Sequence, residues 1–402
     1  MIDGLMHDKA LSDVRVLDIS QQLGYASKLF ADLGADVTLV EPPGGIEARR
    51  HAPFLGGRRD GEASLHFQYL SAGKRSVVID LAVERDRVLF REMLRHADIV
   101  VDDRLQADWR RDGFAYDEVA SVNPNIVWCA VTPFGQTGPR AQDAGDDMVA
   151  MASGGMAWLT GYADRGPLVS EGELAVYSSA QYAAVMGMIA YLGREATGGG
   201  QFIDISMQEV VALGTETAPQ FLTLKGVERR RLGEDERQAG IGIYPCRDGY
   251  VLLYAADSGL GTGWSDVVAW LRESGTPDAD SLSTPEWFDN AFKAKPDSKA
   301  RFRTIFTEFA RTRGKQELFE QGQARHIAIA PINDSGEAFN DAHLNACGFF
   351  TRIGAISSTE LKGPGAPYHL TETPWTAGLR APSLGEHTDA VRKAMLAQKE
   401  FA

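Results

Sequence analysis

The chain has 402 residues, 41 basic and 55 acidic, giving a net charge of −14. This length accommodates two or three domains and a sizeable core, while the acidic balance argues against a nucleic-acid binder, which presents a basic face. No apolar run approaches the roughly 18 residues of a membrane span. The opening Met1–Asp18 carries Asp3, His7, Asp8 and Lys9, unlike the apolar core of a signal peptide. The three cysteines, Cys129, Cys246 and Cys347, are far apart and lack metal-ligand spacing, so a cytoplasmic chain with no metal site is expected.

In chain order, Val14–Ile19 is predicted as a buried strand, Ala26–Leu33 as a helix stopped by Gly34, and Asp36–Glu41 as a second strand. This is a βαβ unit. The alternation continues with a strand at Ser76–Leu81, a helix over Asp86–Arg95 and a strand at Asp98–Val101. A helix at Tyr116–Val122 and a strand at Ile126–Val131 follow. Such alternation predicts an α/β fold, Rossmann-like, with a parallel sheet covered on both faces. Met148–Gly161 and Ser178–Leu192 are rich in small residues and predict closely packed helices, with a strand at Phe202–Ser206. The charged stretch from Val227 is a linker, and Gly242–Ala255 is a hairpin turning at Arg247-Asp248-Gly249. Helices are expected around Asp266–Glu273 and Lys299–Arg313, and Ala328–Ile332 as a strand returning to the first domain.

A parallel sheet invites a nicotinamide cofactor, whose phosphates need a glycine-rich turn leading into a helix. The turn here, Ser20-Gln21-Gln22-Leu23-Gly24-Tyr25, has one glycine, so that fingerprint fails. Gly198-Gly199-Gly200 precedes a strand and is a turn.

Several segments then carry a resemblance. They begin with Leu17-Asp18-Ile19-Ser20, Ala31-Asp32-Leu33-Gly34-Ala35-Asp36-Val37 and Val40-Glu41-Pro42, followed by Gly73-Lys74-Arg75-Ser76. Further along come Phe134-Gly135-Gln136-Thr137-Gly138-Pro139, Arg194-Glu195-Ala196-Thr197-Gly198 and Ala381-Pro382-Ser383-Leu384-Gly385-Glu386-His387-Thr388. In this order the chain resembles family III CoA-transferases, the formyl-CoA and carnitine transferase family. The resemblance implies a large domain from both chain ends (residues 1–220 and 330–402), a small domain (228–328) and two chains interlocked as rings. It also implies CoA thioester as substrate with no permanently bound cofactor, and CoA contacts at Gln22, Lys74, Arg75 and Arg111.

Members of that family move CoA between carboxylic acids through one aspartate. Its carboxylate attacks an acyl-CoA thioester to give a mixed anhydride, and the CoA thiolate returns to form an enzyme thioester that the acceptor acid resolves. The family's spacing places this aspartate 25 residues before Gln201, which here is Val176. Valine offers no nucleophilic atom, so no catalytic residue is expected in this chain. Glu173 and Asp147 are the fallback carboxylates. The loop after the first strand is also about two residues shorter than in active members, and Asp102-Asp103-Arg104 replaces a Glu-Asn-Phe segment, setting two carboxylates where phosphates would bind.

Scaffold signatures that persist while the chemistry is lost resemble a supporting subunit. Heteromeric family members, such as succinyl-CoA:benzylsuccinate CoA-transferase of anaerobic aromatic degradation, imply a homologous catalytic partner, with a small carboxylic acid and an acyl-CoA as ligands. Two alternatives stay open: an active homodimer using a displaced carboxylate, and an acyl-CoA-binding scaffold without activity. Neither nucleic acid nor membrane is an expected partner.

Overall fold

The computed structural model describes residues 9–59, 61–233, 237–255, 263–356 and 359–399. Six strands form one parallel sheet: β1 (Arg15–Asp18), β2 (Asp36–Glu41), β3 (Arg75–Val78), β4 (Ile99–Asp102), β5 (Val127–Thr132) and β6 (Phe202–Ser206). Their order is β3-β2-β1-β4-β5-β6, with Val16 opposite Val37 and Leu17 opposite Val100. The strands read as continuous apolar runs because both faces are covered. Val16, Val37, Ile99, Val101, Val127 and Cys129 point to one core, and the alternating Leu17, Val100, Trp128 and Ala130 to the other.

The first core is closed by the 24-residue helix Leu174–Thr197. It presents Ala175, Ala180, Ala183, Ala184, Gly187 and Ala190 to the sheet. A Cβ at Gly187 would lie 3.1 Å from Cys129 Sγ and 3.5 Å from the Phe30 ring, so small residues set the close approach of helix and sheet. The second core is closed by the helix Glu84–His96, with Phe90, Met93 and Leu94, and by Trp109 and Phe114. The C-terminal helix Thr388–Lys399 adds Val391. Its start is tied to β3, since Val78 N–H donates to Thr388 Oγ1 and His387 N–H to the Ser76 carbonyl.

The chain divides into two compact units. One holds the residues up to Ala157, Val169–Glu228 and those from Ala342 onward; the other holds Trp158–Leu168 and Arg229–Asp341. The second has an antiparallel sheet of β7 (Ile241–Cys246), β8 (Gly249–Tyr254) and β9 (Ile329–Pro331), packed on Trp264, Trp270, Phe302 and Phe306. The strand expected at Ala328–Ile332 therefore does not return to the first sheet. Its Leu253↔Ile329 pairing extends the smaller one. A hairpin of β10 (Phe350–Ile356) and β11 (Thr359–Pro364), which the sequence reading missed, belongs to the first unit.

Candidate functional site

In an open parallel sheet, ligands bind outside the carboxyl ends of the strands where the strand order reverses, here between β1 and β4. A cavity of about 220 Å³ lies at that edge, with Gln21, Pro42, Asp80, Arg104 and Trp109 among its walls. The turn after β1 is held from within. Asp18 accepts from the Ser20 hydroxyl (2.6 Å), from the Ser27 hydroxyl and from Lys74 Nζ (3.1 Å), whose ammonium also donates to the Gly24 carbonyl (2.9 Å). Asp103 accepts the backbone N–H groups of Gln21 (2.7 Å) and Gln22 (3.0 Å). Asp102 accepts the indole N–H groups of Trp109 (2.8 Å) and Trp128 (2.9 Å) and the N–H of Arg104.

Burial pushes the Asp102 carboxyl up to about 7, with Asp103 adding to the rise, and burial raises Asp103 to about 6. The pair read from the sequence as a repulsive double charge is thus two structural acceptors with weakened acidity. Arg104 stacks over the Trp109 ring at 4.0 Å and pairs with Asp112 at 2.8 Å.

The structure places the four residues expected at CoA as follows. Lys74 is fully buried and its charge is spent on Asp18. Arg75 begins β3, so it stands at the amino edge of the sheet, away from the cavity, where it pairs with Asp36. Arg111 is exposed and paired with Asp108 one turn back. Gln22 directs its backbone N–H to Asp103. Arg104, which is not among those four, is the basic side chain lining the cavity.

Around the expected nucleophile position, Val176 lies in the first turn of the helix Leu174–Thr197 with its side chain in the apolar core. Its N–H donates to Asp147 Oδ1 at 3.0 Å. Asp147 thereby caps a second helix while Asp146 caps its own, accepting from Val149 N–H. Helix starts leave such N–H groups unpaired, and a carboxylate there is a standard solution. So Asp147 is engaged in holding the helix start.

Glu173, three residues earlier, precedes the helix and borders a pocket with Arg50, His51, Ala52, His66, Gly172 and Tyr177. His51 Nδ1 is 3.6 Å from Glu173 Oε1, and His66 Nε2 is 3.9 Å from Oε2. Burial lowers the His66 pKa, partly countered by Glu173, and burial raises the Tyr177 hydroxyl to about 12. At neutral pH His66 is an uncharged imidazole and Tyr177 a protonated phenol. Glu173 is therefore a member of a cluster and not a solitary loop carboxylate. His51 and His66 carry no sequence signal, being 15 residues apart and over 100 from Glu173.

No described helix is long and apolar enough to cross a membrane. The model for "CoA-transferase family III" matches residues 11–388. The chain is 34% identical over 380 residues to "Succinyl-CoA:(R)-benzylsuccinate CoA-transferase subunit BbsE" of Thauera aromatica, covering 94% of this chain and 92% of that one. It is 28% identical to "Succinyl-CoA--L-malate CoA-transferase beta subunit" of Chloroflexus aurantiacus, covering 98% and 96%. A CAIB/BAIF family protein from Brucella suis shares the fold at TM-score 0.82 and 24% identity, over 96% of this chain and all of that one. With the ordered segments, the six-stranded parallel sheet and these matches, the chain is a member of CoA-transferase family III.

Proposed function

We propose that this chain is the non-catalytic subunit of a heteromeric family III CoA-transferase. A homologous partner chain carries the nucleophile, and the complex moves CoA from succinyl-CoA to an acid resembling benzylsuccinate in the cytoplasm. The observation that carries this reading is Val176, which the family's spacing puts at the nucleophile position and whose side chain lies in the apolar core. The names of two relatives, each a subunit of a succinyl-CoA-dependent transferase, point the same way. A surface for the partner is at hand. The helix Leu174–Thr197 leaves Tyr182, Val185, Ile189 and Leu192 exposed at helical spacing, Leu192 to 72%, an apolar stripe of the kind that marks protein contacts. In this reading the cavity at the β1–β4 edge receives CoA through Arg104.

The isolated chain is expected to transfer no CoA and to form no covalent CoA adduct by intact-mass spectrometry. With its partner, turnover should appear. Val176→Asp in this chain should add little, since the new carboxyl would enter an apolar core, whereas replacing the partner's aspartate should abolish turnover. A second reading, an active homodimer, is favoured by Glu173 lying in a solvent-reaching pocket three residues from Val176. A purified single chain that transfers CoA and loses this on Glu173→Ala would overturn the subunit reading and establish the second.

A further inference from the structure

The pocket at Glu173 is built as a ligand set. One ring nitrogen of His51, one of His66 and one Glu173 carboxylate oxygen all lie within 4.8 Å of one another. The two histidine-to-carboxylate separations, 3.6 and 3.9 Å, exceed a hydrogen bond. They run to the two oxygens of the one carboxylate, so both rings face Glu173 without bonding to it. Ligand atoms on a four-coordinate zinc, with bonds of roughly 2.0–2.2 Å, stand roughly 3.3–3.6 Å apart. A closure of up to about 1.5 Å is within reach of imidazole rotation about its soft terminal torsion.

The backbone segments that carry the three donors are held by interactions that owe nothing to a ligand. Ser64 Oγ donates to the carbonyl of His51 at 2.7 Å and accepts from Phe67 N–H at 3.2 Å, capping the helix Leu65–Leu70 that carries His66. One hydroxyl thus ties together the backbone segments of both histidines. Leu65 N–H donates to the Pro53 carbonyl, closing the intervening loop. Glu173 is fixed from the other side by the helix it precedes, whose start Asp147 caps.

We propose that His51, His66 and Glu173 bind a divalent transition-metal ion of the zinc class, with a fourth position open to the pocket for water or a carboxylate oxygen. Two imidazoles and one carboxylate are an established set for such a site with one position open. The pocket, about 510 Å³ and bounded by Arg50 and Tyr177, leaves room for an acid at that position. The site does not depend on the subunit reading, because it requires neither a partner nor turnover.

The test uses the untagged full chain, stripped with a chelator and titrated with Co²⁺. Expected are one Co²⁺ per chain, visible absorption of a low-coordinate nitrogen–oxygen site, and its displacement by Zn²⁺. Glu173→Gln and His66→Gln should each weaken binding at least about tenfold, as losing a metal-site partner does, while His96→Gln should leave it unchanged. No spectral change would overturn the site. So would a thiolate-to-cobalt charge-transfer band, which would put the ion on Cys347 beside His343, or an affinity indifferent to both substitutions. If the variants fail to fold, the wild-type chain still decides. Zn²⁺ should protect His51 and His66 from carbethoxylation read by peptide mass spectrometry, and equal modification with and without zinc would refute it.

Discussion

Replacing Asp102 by asparagine tests the electrostatics of the β1–β4 edge directly. The wild-type carboxyl, between two indole N–H groups and beside Asp103, is raised from an ordinary 3.8 to about 7. As pH rises from 4 to 7 the unfolded chain gives up this proton while the folded chain keeps it. The folded state then binds more protons, so stability falls with rising pH, in the opposite sense to a salt-bridged aspartate. Between pH 5 and 8 the loss from this group alone is about 2.5 kcal/mol. Asparagine cannot ionise, yet its carbonyl oxygen can still accept the indole protons. Asp102→Asn should therefore lie within about 1 kcal/mol of wild type at pH 5 and gain about 2.5 kcal/mol on it by pH 8. Urea titrations at each pH, read by pulsed hydrogen exchange of β4 and β5 peptides, confine the measurement to this sheet. Parallel profiles for the two proteins across the range would refute the raised carboxyl.

Lys74→Met strands Asp18 in the core with only the serine donors, and should cost about 3 kcal/mol or more; a melting temperature equal to wild type would show that Lys74 is not the buried counter-charge the structure gives it. Leu192→Glu, on the exposed stripe, should abolish association with the partner in native mass spectrometry while changing the stability of the isolated chain by about 0.5 kcal/mol or less. Undiminished assembly would remove that helix face from the interface. Arg104→Ala should weaken CoA binding by calorimetry about tenfold or more, the loss of one charge-assisted contact, and Arg111→Ala should not. The reverse outcome would return the site to the arginine chosen from sequence.

The parallel sheet was legible because its strands are covered on both faces and so appear as short apolar runs between helices. The run at Ala328–Ile332 carried the same signal, but an apolar run does not say which sheet it joins; only the pairing with β8 decides that. The hairpin β10–β11 was hidden by its charged positions, Arg352, Glu360 and Lys362, which break the alternation. At the site, counting from Gln201 pointed to Val176 as the expected nucleophile position. What surrounds Val176 could not be reached by counting. Asp147 reaches Val176 across 29 residues, and Asp102 finds its second indole donor 26 residues on. The basic residues expected at CoA came from the resemblance, which could not show that the fold pairs Lys74 with buried Asp18 and Arg75 with Asp36 at the sheet edge. His51, His66 and Glu173 share no motif, and it is folding alone that gathers them.

The turn after β1 offers its amide groups in the place where this class of sheet meets the phosphates of a nucleotide, and Asp103 already fills them. A tethered carboxylate competes there at the high effective concentration of an intramolecular ligand. An incoming phosphate would have to evict it and leave a buried acid unpaired. The turn is consequently a lock closed by the chain's own key. Among the described residues the N–H groups of Gln21 and Gln22 are thus already taken, and the basic side chain left at the cavity wall is Arg104.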